Sequence, residues 1–413
     1  MLACSVESPL VGKSLICSCN ATGSGNLSRR WALMRKRFFQ SLCAAASLLA
    51  LTACSTANPH YNPALQHHTP KGFANNYAAG VNKPFGEFVR WQIERQQQDL
   101  PKPAKQPTPV QTPDMAAIGS YANDAVAAQP AVTARSPAIT WIGHASMLVQ
   151  AGGLTVLTDP IFSERASPVQ WVGPKRAQPP GLALADLPLI DVVLISHNHY
   201  DHLDKTSVLG IAERSAAAGK PTLFLVPLGL KRWFTNLRIS NVMELDWWDQ
   251  HSVRGVQFNF TPTQHWSARG LSDRSQTLWG GFAVFAPDLH WYFAGDTGYS
   301  KDFADVRARF SSRQRQAQDP VFDLALLPIG AYKPRWFMAE QHIDPLEAVQ
   351  IHLDLKAKRS VGIHWGVFDL TDESLDQPPQ DLADATKLHR LRADEFTVMA
   401  IGETRSLPSR KKP

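Results

Sequence analysis

Between Ile139 and Gly366 the chain alternates short runs of β-branched, aromatic and aliphatic residues with clusters of Gly, Pro, Asn and Asp. The runs read ITWI, SMLVQA, LTVLTD, DVVLISH, TLFLVP, VMELDW, VQFNFTP, GFAVFA, WYFAGD, LALLPIG and SVGIHWG. Apolar runs of this length between turn formers predict strands. Helical stretches intervene at about 205–218, 301–316 and 344–355, the last opened by Asp344 as cap and Pro345 at the first helical position. Hairpin-like strand pairs with helices between them suit two sheets sandwiched between helices, an α+β arrangement. No repeat of fixed period is visible.

Upstream of Ile139 the pattern weakens. Phe85, Phe88, Val89, Trp91 and Ile93 fall at roughly helical spacing and predict a short helix packed on the domain. Pro101, Pro103, Pro107, Pro109 and Pro113 then forbid regular structure, so 85–136 reads as an N-terminal extension with one helix and a Pro-rich loop. Residues 54–84, rich in Asn, Ala, Pro and His, read as a tether, with His60, His67 and His68 as solvated linker residues rather than a metal site. The main folded domain is expected over 137–405, followed by a basic tail at 406–413.

At 413 residues, 44% hydrophobic and 19% charged, the chain can build one large globular domain or two smaller ones, and is neither disordered nor fibrous. The formal charge of +6 is unevenly placed: residues 1–53 hold six bases and one acid, leaving 36 bases and 35 acids for the rest. A body this close to neutral gives no sign of nucleic-acid binding. All five cysteines (Cys4, Cys17, Cys19, Cys43, Cys54) precede residue 55, which removes disulfides, thiolate ligands and a Cys nucleophile from the body.

From Met34 the chain reads MRKRFFQSLCAAASLLALTACS, a basic cluster, an apolar run and small residues. That is the pattern of a secretory signal, too short for a comfortable membrane span. Its ending, Leu51-Thr52-Ala53-Cys54, resembles a bacterial lipobox. The resemblance implies a lipid on Cys54, a signal peptide over 34–53, residues 1–33 upstream of the true start and, from Ser55, an envelope protein at the outer membrane facing the periplasm.

The strongest chemical signal is SHNHYDH, Ser196 to His202, directly after the apolar run Asp191–Ile195. In an extended or looped backbone His197 and His199 point to one side, and Asp201 and His202 follow on a turn toward a helix. Imidazole and carboxylate without sulfur suit zinc, and also iron or manganese. His265, Asp296 and His364, each at the end of a predicted strand, bring the set to seven ligands, enough for two cations if one carboxylate bridges them. Asp296 is the natural bridge, because a carboxylate offers two oxygens, and Gly295 and Gly298 let the backbone come close. Asp159 in LTDP and His144 in WIGHAS are candidates to accept or donate behind the ligands. Trp266, Trp336 and Trp365 fall beside these motifs: Trp365 reads as core, and Trp336-Phe337-Met338 as loop surface suited to a lipid.

The HxHxDH cluster with a later His, an Asp in GDTG and a final His resembles the metallo-β-lactamase fold hydrolases. ITWIGHASMLVQ, LISHNHYDHLD, TPTQHW, FAGDTGY, QHIDPLEAV and IHWGVF further resemble N-acylphosphatidylethanolamine-hydrolysing phospholipase D across roughly 137–405. The resemblance implies a metallo-β-lactamase-like αββα four-layer sandwich with a dinuclear metal site. It implies one metal on His197, His199 and His265, another on Asp201, His202 and His364, and Asp296 touching both. It places Gln341 and His342 beside the site, His342 contacting phosphate or assisting proton transfer, with Tyr200 and Tyr299 also facing it. The implied reaction is hydrolysis of a phospholipid by water activated between two cations, most plainly zinc, about 3.5–4 Å apart. Rival readings are a hydrolase of a soluble phosphodiester or lactone, and a non-catalytic envelope lipoprotein with structural metals.

Overall fold

The computed structural model describes residues 57–78, 81, 83–124, 136–314 and 319–410. The expected signal peptide and Cys54 lie outside them. All eleven apolar runs form strands. In chain order the strands are β1 (His68–Thr69), β2 (Gly72–Phe73), β3 (Ala138–Gly143), β4 (Ser146–Ala151), β5 (Leu154–Thr158), β6 (Val192–Leu194), β7 (Leu223–Pro227) and β8 (Val242–Leu245). They continue as β9 (Gln250–Val253), β10 (Val256–Thr261), β11 (Gly281–Phe285), β12 (His290–Phe293), β13 (Leu324–Pro328), β14 (Ser360–Ile363), β15 (Phe396–Thr397) and β16 (Thr404–Ser406). The helices are α1 (Phe85–Gln97), α2 (Met115–Asp124), α3 (Lys205–Ala217), α4 (Lys231–Asn236), α5 (Asp302–Arg309), α6 (Arg335–Met338), α7 (Pro345–Asp354) and α8 (Gln377–Leu388).

Two seven-stranded sheets result, ordered β16-β3-β4-β5-β6-β7-β8 and β15-β14-β13-β12-β11-β10-β9. Each is half antiparallel and half parallel, the parallel half being where the chain must cross over. Side-chain alternation divides the first sheet between two cores. Met147, Val149, Val156, Val192, Leu194 and Leu225 pack toward Phe258, Phe260 and Phe282 of the second sheet. Their neighbours Leu148, Leu157, Val193, Phe224 and Val226 pack with Val208 and Ile211 of α3 and Phe234 of α4. On the far side α7 lies against β13, which completes the αββα order. The start of α7 is a capping box: the Asp344 carboxylate accepts from Glu347 N–H at 2.9 Å, and the Glu347 carboxylate from Asp344 N–H at 3.1 Å.

Several expectations need correction. The helix expected over 301–316 ends at Arg309 and gives way to a single 3-10 turn, because residues 311–319 offer no apolar face to bury. Helix α2 follows the Pro-rich stretch, its first turn capped by Asp114 accepting from Ala117 N–H at 2.9 Å. Helix α8 begins with two prolines, which suit the first turn of a helix although they read as breakers. Trp336-Phe337-Met338 forms helix α6 rather than loop, with Phe337 and Met338 buried. The basic tail is packed as far as Arg410, which pairs with Asp323 at 2.9 Å.

The largest correction concerns the tether. Residues 57–78 form a strap on the sandwich, with Asn58, His67, His68 and Phe73 buried and Phe73 part of the main core. His67 and His68 meet one carboxylate, Asp246, at 2.7 and 2.8 Å. These partners are far away along the chain, so local composition concealed them.

Because Phe282 is fully buried between the sheets against Phe260, Phe282→Ala should destabilise the fold by about 3–5 kcal/mol, read as a lower midpoint in urea unfolding.

Candidate metal centre

The parallel strands of both sheets end at one side of the sandwich together with β10, and the loops that follow them carry the ligands. His197 and His199 come after β6, Asp159 after β5, His265 after β10, Asp296 after β12 and His364 directly after β14. Close approach is built in: a Cβ on Gly295 would sit 2.5 Å from the Ser196 side chain, and one on Gly298 2.4 Å from the Glu340 carbonyl oxygen. Three non-glycine residues here, His144, Asp159 and His364, have positive φ (53°, 32° and 63°). Such backbone costs about 1–2 kcal/mol per residue and persists only where neighbours hold it. His144 and His364 hold each other, the His364 N–H donating to the His144 carbonyl at 3.0 Å.

Two groups of ligand atoms converge. In the first, His197 Nε2 lies 2.8 Å from His199 Nδ1, which is 3.3 Å from His265 Nε2. In the second, Asp201 Oδ2 is 3.3 Å from both His202 Nε2 and His364 Nε2, which are 3.1 Å from each other. Asp296 joins the groups: its Oδ2 is 3.1 Å from His202 Nε2 and 3.8–3.9 Å from His265 and His197, while Oδ1 is 3.2 Å from His364 Nε2.

The outer nitrogens show what these contacts are. His265 Nδ1 lies 2.9 Å from the Gln341 carbonyl, an oxygen that can only accept, so it carries the proton and Nε2 presents a lone pair. His202 Nδ1 donates to Asp159 Oδ2 at 2.6 Å, and His197 Nδ1 meets Ser196 Oγ, which itself donates to Asp159 Oδ2 at 2.5 Å. In the His197–His199–His265 group, lone pairs turned toward one another at these separations do not form hydrogen bonds; they fit a cation placed among them. Buried His199 Nε2 and Asp296 Oδ1 also lack hydrogen-bond partners.

The electrostatics divide the same way. Burial and neighbouring imidazoles hold His197 well below its usual range. Burial lowers His199 to about 4 and His265 far below its usual range, against the pull of carboxylates. In the second group burial acts in the same direction but the carboxylates win: Asp296 and Asp201 raise His364 to about 9 and, with Asp159, lift His202 well above its usual range. Burial opposes ionisation of Asp201 and Asp296 too, yet the histidines outweigh it and hold both well below the carboxylate range.

The remaining expected residues divide. His144 Nε2 is 3.0 Å from Asp201 Oδ2, and Asp159 supports His202. Gln341 supports His265 through its carbonyl and receives the Trp266 indole N–H on Oε1 at 2.8 Å. His342, mostly buried, places Nδ1 3.8 Å from Asp296 Oδ2. Tyr200 and Tyr299 are turned elsewhere, their hydroxyls donating to the Arg269 carbonyl at 2.9 Å and to Asp354 at 2.8 Å. Trp336 lies at the surface under Arg90, and Trp365 is buried against Trp141. Ser196, inside the quoted motif, has a role its position alone did not announce.

This fold and ligand set define a metal-dependent hydrolase. Residues 155–365 match the model of the beta-lactamase superfamily domain, and the chain belongs to that superfamily. It is 39% identical over 277 residues to N-acyl-phosphatidylethanolamine-hydrolyzing phospholipase D 1 of Caenorhabditis elegans, covering 64% of this chain and 74% of that one. It is 37% identical over 251 residues to the mitochondrial N-acyl-phosphatidylethanolamine-hydrolyzing phospholipase D of Saccharomyces cerevisiae, covering 59% of this chain but only 50% of the yeast protein. A solved possible metal-dependent hydrolase from Veillonella parvula shares the fold at a TM-score of 0.51 and 18% identity, over 66% of this chain and 100% of its own.

Ligation requires unprotonated imidazole. The Asp201–His202–His364 group, with His364 raised to about 9, should therefore gain metal affinity as pH rises from 6 to 9. The His197–His199–His265 group, with His199 lowered to about 4, should load almost equally at both. Chelator-competition titrations at pH 6, 7.5 and 9 should resolve one pH-dependent and one nearly pH-independent step.

Proposed function

We propose that this chain is a phosphodiesterase of the phospholipase D type, cleaving N-acylphosphatidylethanolamine-like lipids to N-acylethanolamine and phosphatidic acid. The nematode and yeast relatives carry that activity in their names, which supports the reading. The observation that carries it toward a lipid is helix α1. Phe85, Val89 and Ile93, four residues apart on one face, are exposed together with Phe88. The same helix is anchored through Trp91, stacked on Phe337 at 4.9 Å, to the segment that continues into Gln341 and His342. An apolar surface tied in this way to the segment beside the ligand cluster suits a substrate presented from a bilayer.

Two divalent cations, zinc by ligand type with iron or manganese as alternatives, would be held by His197, His199 and His265 and by Asp201, His202 and His364, with Asp296 shared. When bound, they supply Lewis acidity that lowers the pKa of water and offsets charge building on phosphorus. Hydrolysis adds the oxygen of water to phosphorus and breaks the bond from phosphorus to the ethanolamine oxygen, which leaves as an alkoxide needing a proton. His342, which burial lowers to about 4, is neutral at pH 7, and its unpartnered Nδ1 beside Asp296 is placed to take a proton and return it to that alkoxide. Asp159, Ser196 and the Gln341 carbonyl keep the ligand imidazoles in one tautomer.

No helix among the described residues is long and apolar enough to cross a membrane. A lipid on Cys54 would instead hold the chain at the outer membrane on its periplasmic side, within reach of phospholipid.

The full chain, solubilised in detergent and metal-loaded, should release N-acylethanolamine and phosphatidic acid from mixed micelles of N-acylphosphatidylethanolamine and phosphatidylcholine, resolved by mass spectrometry. Chelator should stop the reaction, and His199→Ala or Asp296→Asn should lower it by at least 1000-fold together with bound metal, on the order of 4 kcal/mol of barrier. Lipid left intact by a chain that turns over soluble phosphodiesters or lactones would replace this reading with a soluble-substrate hydrolase.

A further inference from the structure

The strap at 57–78 reaches the metal centre at one point. The Asn75 side-chain amide brackets the peptide groups of His265: Oδ1 accepts from the His265 N–H at 3.0 Å, and Nδ2 donates to the His265 carbonyl at 3.0 Å. The same Oδ1 accepts from the buried Trp279 indole N–H at 3.0 Å, which fixes the amide's orientation. With Gln341 holding Nδ1, His265 is pinned at both its backbone polar groups and at its ring.

The strap cannot easily shift along its track. Phe73 N–H donates to the Ser275 carbonyl at 2.8 Å, and a Cβ on Gly72 would stand 2.1 Å from that oxygen. Asn58 Nδ2 donates to the Gly72 carbonyl at 2.8 Å, and the paired His67 and His68 grip Asp246 beyond. On the other side Asn76 Nδ2 donates to Asp302 at 2.8 Å. A residue between two such anchorages has its amide presented at a set depth, and that depth sets where His265 Nε2 stands among His197, His199 and Asp296.

We infer that Asn75 is a positioning residue for His265, and that the strap is a working part of the metal centre. The inference rests on the metal-binding reading of the cluster and is independent of the lipid chosen as substrate.

The test compares the full wild-type chain with Asn75→Ala, Asn75→Asp and Phe234→Ala, reading stepwise zinc affinity by chelator competition, the visible spectrum of the cobalt(II) form, and the melting temperature. Asn75→Ala should weaken one metal-binding step by about 10–100-fold, the usual cost of losing support behind a ligand, and alter the cobalt spectrum. Asn75→Asp keeps the oxygen that faces the His265 N–H and should recover part of that loss. Phe234→Ala empties a buried site in the outer core, away from both the strap and the centre, and should keep both steps within about twofold even at an equal fall in melting temperature. Wild-type affinities and spectrum in Asn75→Ala would overturn the inference, as would an equal loss of the same step in Phe234→Ala. Failure of the wild-type chain to bind metal would overturn the metal reading with it.

Discussion

Imidazole nitrogens with lone pairs aimed at a common point repel one another, and much of the structure around them exists to keep them aimed. Three of the five histidines in the two groups are fixed by a group on the far side of the ring: Ser196 behind His197, Asp159 behind His202 and the Gln341 carbonyl behind His265. Asp159 is buried, and burial lifts its carboxyl above the usual range despite the hydrogen bonds from His202 and Ser196. Retaining such a group costs stability. The compensation is a set of rings that cannot rotate away from the positions that suit a cation.

The sandwich makes that arrangement possible by bringing distant strand ends to one rim. His202 and His364 are 162 residues apart and their Nε2 atoms are 3.1 Å apart. The parallel halves of both sheets matter most, because each crossover returns the chain so that successive loops emerge on the same side. Close packing of the two sheets, Phe258, Phe260 and Phe282 against Val149, Val156 and Leu194, then fixes the rim as tightly as the core itself. Left-handed backbone at His144, Asp159 and His364 shows where that geometry is enforced against local preference.

What could be read from the sequence follows from the range of the interactions. Apolar runs and turn formers are local signals, and the eleven strands those runs form, the cap at Asp344 and the helix beginning at Lys205 were legible. The ligand types were legible too, since HxHxDH after a buried strand is a local pattern with few other uses. Asn75 was not, because the group it serves lies 190 residues away and nothing beside it in the chain differs from a polar linker. The same holds for His67 and His68, whose partner Asp246 sits in the turn after β8. Tyr200 and Tyr299 adjoin the motifs, yet their hydroxyls are committed to Arg269 and Asp354, which adjacency in sequence cannot disclose.

The asymmetry of the two ligand groups bears on the kind of substrate proposed. Three neutral imidazoles form one side, whereas the other adds Asp201, and Asp296 is common to both. With two divalent cations, two carboxylates leave the centre with excess positive charge, and counting Asp159 behind His202 reduces that excess without cancelling it. A neutral lactone draws little benefit from such a charge in its ground state, while a phosphodiester brings one negative charge and its hydrolysis develops more. Aromatic and apolar side chains adjoin the centre: Trp266 packs edge-on against His199 at 4.3 Å, and the Met338 sulfur lies 3.3 Å from Gln341 Nε2. Low polarity around a charged centre strengthens its hold on an anion. A phosphate ester joined to long acyl chains meets both requirements at once.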